Sequence, residues 1–269
     1  MTSSGSTPVF DTAALRARAE TLLQLHHRDA PVVLPTAWDV WSGRLIADAG
    51  FGALTVGSHP LADSLGAADG EDMTLDQALE AIARITAAVE IPVSADLESG
   101  YDTDPAELVE KALAAGVVGI NIEDTVHSRG QMRGGQEHAD YIAGIRRAAD
   151  AAGVHLVING RTDVYKHADD FADPLAETLH RLSLLEQAGA DSLYPVGLPS
   201  EQVLTTILEQ VSAPLNVTAH PERGAIPEGL TLPRLAELGV SRISFGPLLQ
   251  MALGEQAAKL LAGGTSSEG

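Results

Sequence analysis

The chain has 269 residues, 45% of them hydrophobic and 20% charged, as in ordinary globular proteins. Seventeen Lys and Arg stand against 37 Asp and Glu, a formal charge of −20, so no nucleic-acid or membrane-surface partner is expected. The absence of cysteine excludes disulfides, thiolate metal sites and a thiol nucleophile. No apolar run approaches the ~20 residues of a membrane span. The first nine residues lack a basic-then-apolar leader pattern, and the expected location is the cytoplasm.

In chain order, residues 12–28 pattern as a helix ahead of the first strand, placed to cover the bottom of a barrel. Eight short apolar runs then begin near Val32, Ala53, Val93, Gly119, Leu156, Ser192, Leu215 and Arg242. Their mean spacing is about 30 residues, the length of one βα unit. The runs VVLP, ALTVG, PVSAD, GINIED, LVING, SLYPV, PLNVT and RISFG are mostly continuous rather than alternating, as parallel strands covered on both faces should be.

Glycine stands between a helical stretch and the next strand at Gly50, Gly116, Gly153, Gly189 and Gly239, a repeated left-handed helix stop. Thr74 precedes an amphipathic run. Asp104-Pro105 and Asp173-Pro174 each place a capping acid before a first-turn proline. Residues 248–261 have the spacing of a helix, and the Gly/Ser-rich residues 263–269 read as a disordered tail. These signals predict an α/β fold, a (β/α)8 TIM-type barrel over about residues 30–262 in a single domain. The rival open doubly wound sheet is the weaker choice, since no GxGxxG turn is present.

In such a barrel the active site lies at the C-terminal ends of the strands. The residues there are Trp38 and Asp39; Gly57, Ser58 and His59; Asp96 and Glu98; Glu123 and Asp124; Arg161 and Asp163; Asn216 and Thr218. Asp96, Glu98 and Glu123 converge from adjacent strands and would repel one another unless neutralised. Any one of them alone reads as a solvated strand-end acid or helix cap. The three together point to a hard divalent cation, Mg²⁺ with Mn²⁺ as the alternative. Arg161 can hold a substrate carboxylate or form a salt bridge to Glu123 or Asp163, and the two roles are compatible. The pair Gly57-Ser58 can present backbone N–H groups to an anion. On spacing alone Asp69 reads as a solvated acid in a polar loop.

The segments AWD (37–39), SLGAADG (64–70), SADLESGY (94–101), NIED (121–124), NGRTD (159–163) and PLNV (214–217) occur in an order that resembles the isocitrate lyase/phosphoenolpyruvate mutase superfamily. The resemblance runs from about residue 32 to 253 and is nearest to the phosphonomutase-like bacterial branch. It implies a homotetramer built from dimers, or a dimer, that exchange a C-terminal helix, here near residues 248–261. It implies Mg²⁺ held mainly through Asp96, with Glu98 and Glu123 reached through waters. The substrate would be a small anionic 2-oxo acid, 2-hydroxy diacid or phosphonate. Arg161 and the segment Gly57, Ser58, His59 would hold its carboxylate. Asn216 would line the distal pocket, and Asp69 matches a family acid near the reacting centre.

The loop after Glu123 departs from the best-known relatives. Counting from Glu123, Gln131 stands where the lyases carry their acidic cysteine and the mutases an asparagine. Arg129 stands at the mutase lysine. Both are expected to close over the reacting end. His127 reads as an exposed loop histidine, with replacement of the missing acid as its other reading. The glycines of this loop suit a mobile lid. The expected function is a Mg²⁺-dependent C–C lyase acting on a 2-hydroxy or 2-oxo (di)acid through an enolate-like intermediate. The alternatives are a P–C mutase or hydrolase and a non-catalytic metabolite-binding barrel.

Overall fold

The computed structural model describes residues 10–225 and 229–265. Eight strands run parallel: β1 (Val32–Leu34 continuing as Thr36–Ala37), β2 (Leu54–Val56), β3 (Val93–Asp96), β4 (Gly119–Ile122), β5 (Val157–Thr162), β6 (Ser192–Pro195), β7 (Asn216–His220) and β8 (Arg242–Ser244). Each begins within a residue of its expected position. The strands from β1 to β6 pair in sequence order, and β7 pairs with β8. Between β6 and β7 the ladder is one parallel bridge, Leu193 to Leu215.

The ring closes through β1. Its first segment pairs with β8 at Val32 and Arg242, and its second pairs with β2 at Thr36 and Thr55. Pro35 separates the two segments. It has no N–H to donate, so the ladder breaks there and one strand serves two neighbours.

The helices are α1 (Thr12–Leu25), α2 (Val40–Asp48), α3 (Ser58–Leu65), α4 (Leu75–Thr86), α5 (Pro105–Ala114), α6 (Gly135–Ala152), α7 (Pro174–Gln187), α8 (Glu201–Leu208), α9 (Leu232–Leu238) and α10 (Leu248–Thr265). The expected starts hold. Thr74 caps α4 in a capping box with Gln77, and Asp104 and Asp173 cap α5 and α7 ahead of their prolines. All five helix-stop glycines take positive φ, from 70° at Gly153 to 93° at Gly239.

Helix α1 closes the bottom of the barrel. Its buried residues Leu15, Ala19, Leu22 and Leu25 repeat at helical spacing and form one stripe. Leu22 presses so closely on Gly119, the first residue of β4, that a Cβ there would lie 2.6 Å from its Cδ2. The opposite mouth carries an extra short helix, α3, between β2 and α4.

Helix α10 continues through Thr265, so part of the segment expected to be a disordered tail is helical. Residues 266–269 and the first nine residues, on which the expectations of a tail and of a missing leader pattern fall, lie outside the described residues. Among the described residues no helix is long and apolar enough to cross a membrane.

Candidate active site

The mouth of the barrel is organised by the turn after β3. Asp96 ends the strand, and Glu98 takes a left-handed backbone conformation at φ 51°. Tyr101 and Asp102 share that unusual region, at 55° and 49°. Such strain persists only where surrounding contacts over-determine it. Here the Glu98 N–H donates to Asp96 Oδ1 at 3.1 Å, and its carbonyl accepts from the Glu123 N–H at 2.8 Å. Glu98 Oε1 accepts from the backbone N–H groups of Gly70 (3.3 Å) and Glu71 (3.1 Å). Glu71 replies across the same gap, accepting from Ser99 Oγ at 2.6 Å and the Tyr101 N–H at 2.9 Å. The loops after β2 and β3 are thereby locked together. Glu71 is a positioning residue that the sequence reading missed, because its partners are distant in the chain.

Arg161, from β5, lies among the acids. Its Nη1 is 2.5 Å from Glu123 and 3.6 Å from Asp96. Its Nε and Nη2 donate to Asp163 at 2.7 and 2.9 Å. Burial pushes the carboxyls of Asp96 and Glu123 upward, with Arg161 opposing it at both. Glu98 is pushed up to about 8 by burial and by the charges of Asp96 and Asp69. At Asp163 burial also acts upward, but Arg161 and Lys166 outweigh it and hold the group at about 2. Fully ionised, Asp96, Glu98, Glu123 and Asp163 would outnumber Arg161 and Lys166, and burial answers by holding Glu98 on its proton near neutral pH.

The loop after β4 is a short hairpin. Thr125–Val126 pairs antiparallel with Gln131–Met132 around a turn at His127–Arg129 that Gly130 closes at φ 62°. Its base is pinned through buried Asp124, which accepts from Thr162 Oγ1 (2.6 Å), the Asp163 N–H (2.9 Å) and Arg181 Nη1 (3.0 Å). Contrary to the expectation of an exposed histidine, His127 turns inward. Its Nε2 lies 2.7 Å from Glu123 and 3.3 Å from Glu98, with only 26% of the side chain exposed.

The same turn sends Arg129 outward, where it pairs with Glu137 at 3.0 Å and Asp102 at 3.6 Å. Gln131 is exposed on the returning strand. Neither lines the cavity, because a residue count along a loop does not show where the chain folds back.

A cavity of about 310 Å³ opens beside the acids. It is lined by Gly57, Ser58, His59, Asp69, Asp96 and Arg161, together with residues of β6, β7 and the segments that follow β6 and β8. Ser58 and His59 open α3, whose N-terminus no side chain caps, so its backbone N–H groups suit an anion. His59 Nδ1 lies 3.5 Å from Asp69 Oδ2 at the rim.

Trp38 and Asp39 do not line this cavity. Trp38 is buried, and Asp39 spends its carboxylate capping α2 through the Ser42 N–H at 2.7 Å. Asn216 lines a second cavity of about 40 Å³ inside the barrel, where it donates to Ser244 Oγ at 3.3 Å. Its position is beneath the substrate-sized space and not at a distal end of it.

Glu98, Glu123 and His127 each offer a ligand atom, all within 4.8 Å of one another. Buried carboxylates held above their usual range, short of a compensating charge, fit a hard divalent cation. The imidazole nitrogen extends the fit toward Mn²⁺.

These features define an α/β barrel with an acid-rich mouth, the architecture of a barrel enzyme. The chain belongs to the phosphoenolpyruvate phosphomutase family, whose model matches residues 22–263. A solved structure from Burkholderia cenocepacia J2315, provisionally assigned as a phosphonomutase, is similar with a TM-score of 0.84 at 38% identity, covering 92% of this chain and 99% of that one. An oxaloacetate decarboxylase of Pseudomonas savastanoi pv. phaseolicola is 28% identical over 213 residues, 76% of this chain and 70% of that protein. A 2-methylisocitrate lyase of Halalkalibacterium halodurans is 27% identical over 206 residues, 73% of this chain and 66% of that protein. The superfamily thus includes both lyases and a phosphonomutase, and its members are enzymes.

Proposed function

We propose that the protein is a Mg²⁺-dependent lyase that cleaves a C–C bond in a small 2-oxo or 2-hydroxy acid through an enolate-like intermediate, with Mn²⁺ as a competent substitute. The observation that carries this reading is the shared cavity wall. Arg161, the uncapped N-terminus of α3 and Asp96 line one space, and Arg161 ties that space to Glu123 of the metal-fitting cluster.

Asp96, Glu98 and Glu123 would hold the cation, which supplies Lewis-acid stabilisation of negative charge on substrate oxygens. Arg161 is fixed in orientation by Asp163, so its remaining reach is directed at a substrate oxyanion without reorganisation. The N–H groups of Ser58 and His59 orient the carboxylate. Asp69 Oδ2 and His59 Nδ1 form the nearest proton-carrying pair outside the metal acids. The hairpin, drawn down by His127, keeps water from the intermediate.

The phosphonate reading is favoured by the 38% identical structure and is kept as the second. The exposed Met251, Leu260 and Leu261 of α10 support a homo-oligomer, tested by sedimentation.

A thermal-shift series tests the site. Oxalate should raise the melting temperature only with Mg²⁺ present, and Asp96→Ala should abolish that response. No rise with oxalate and Mg²⁺ overturns the reading. Phosphorus NMR after phosphonopyruvate is added separates the two chemistries: an unchanged spectrum excludes P–C bond cleavage.

A further inference from the structure

His127 meets two of the metal-fitting acids from a braced position on the β4 hairpin. Val126, just before it, is fully buried. Just after it, Ser128 Oγ donates to Asp102 Oδ2 at 2.5 Å, and Arg129 pairs with Glu137 at 3.0 Å. The turn is tied on both sides of the imidazole.

Nε2 is the ring nitrogen turned to the acids, 2.7 Å from Glu123 Oε1 and 3.3 Å from Glu98 Oε2. Two ligands at right angles, each ~2.1 Å from an octahedral ion, stand about 3 Å apart. The two observed separations bracket that edge. The other oxygen of each acid is already engaged. Glu123 Oε2 lies 2.5 Å from Arg161 Nη1, and Glu98 Oε1 accepts from the Gly70 and Glu71 N–H groups. Each acid therefore offers its second oxygen to the place that the imidazole also reaches.

Gly70 makes room for this arrangement. It holds Glu98 through its N–H, and a Cβ on it would lie 3.1 Å from His127 Nδ1 and crowd the ring. All nine histidines are among the described residues, and no other imidazole pairs with Glu98 or Glu123. His59 faces Asp69, and His138 Nε2 meets the Arg161 carbonyl at 3.1 Å.

We propose that His127 is a direct ligand of the cation beside Glu98 and Glu123, and that its nitrogen raises the preference for Mn²⁺ over Mg²⁺ above that of an all-oxygen site. Mg²⁺ takes oxygen ligands, whereas imidazole suits first-row transition ions. On binding, the ion replaces any proton on Nε2, which leaves to solvent. The proposal rests on the reading that these acids hold a divalent cation.

Mn²⁺ itself is the probe. Pulsed electron paramagnetic resonance of the full chain with substoichiometric Mn²⁺ should show a directly bonded nitrogen. His127→Gln offers an amide oxygen at similar reach and should remove that signal, while His59→Gln should leave it in place. Calorimetric titrations with Mn²⁺ and with Mg²⁺ should show the ratio of the two affinities falling at least tenfold in His127→Gln. Should that variant fail to fold, His127→Asn makes the same tests.

Mn²⁺ bound with no nitrogen in its coordination sphere overturns the proposal and leaves the cation reading standing. So does a nitrogen signal that survives at position 127 or is lost with His59, or an affinity ratio that does not move. If Mn²⁺ does not bind at all, the reading of the acids as a cation site fails, and this inference falls with it.

Discussion

One guanidinium serves three carboxylates at the mouth of this barrel, and its fixed fork makes that possible. Arg161 spends two nitrogens on Asp163 and keeps the third between Glu123 and Asp96. Asp163 is the anchor, and its neighbours Arg161 and Lys166 hold its carboxyl down at about 2, below the usual range of an aspartate. Because the folded pKa is depressed, the stabilisation is complete above about pH 4 and is lost as pH falls through about 2. It is worth about 2 kcal/mol for this buried group. Asp163→Asn should therefore lower stability at pH 7 by about that amount, and the difference from the parent should vanish near pH 2. Urea denaturation across pH measures both limbs. A difference that persists unchanged at pH 2 would show that the ion pair is not its source.

The acids and Arg161 were legible in the sequence because strand ends converge in any such barrel. What Arg161 touches, and that His127 and not Gln131 points inward, was not. Both depend on where a loop turns in space.

At the scale of elements, local signals served best. Gly50, Gly116, Gly153, Gly189 and Gly239 mark helix ends because a left-handed stop is written in one residue. The hairpin after β4 has a left-handed glycine too, Gly130, but that residue fixes only the turn, and the position of the hairpin is set by a tertiary anchor. Arg181 donates to Asp124 at 3.0 Å, to the Arg133 carbonyl at 2.8 Å and to Glu177 at 2.7 Å. Arg181→Met leaves the carboxylate of Asp124 buried without its cation, and should cost about 3–5 kcal/mol in chemical denaturation. A loss under about 1 kcal/mol would mean that the other donors to Asp124 suffice. Helix α1 offers a test at the other end. Leu22 is fully buried against Gly119, and Leu22→Ala should destabilise by about 3 kcal/mol without altering oxalate affinity. A change in affinity would couple the floor of the barrel to its mouth.

For the whole molecule, the charge of −20 sets the approach of an anionic substrate. The field repels the ligand that the mouth attracts, and salt screens the long-range repulsion more than the close contact. The second-order rate with an anionic substrate should rise a few-fold between about 10 and 150 mM ionic strength. A fall over that range would show that the local positive end of the cavity governs encounter.

The pairing of β1 with β8 reaches beyond the finished protein. Val32 has no neighbour on that side until Arg242 arrives, and His26 meets Arg242 across 216 positions of chain. On the ribosome, nearly the whole polypeptide must emerge before the first strand acquires its second neighbour. Until then the apolar stripe of α1 has no complete floor to cover. At about 5–20 residues per second, that interval lasts on the order of ten seconds or more. During it, a chaperone or a protease meets an open curl of sheet and not a barrel.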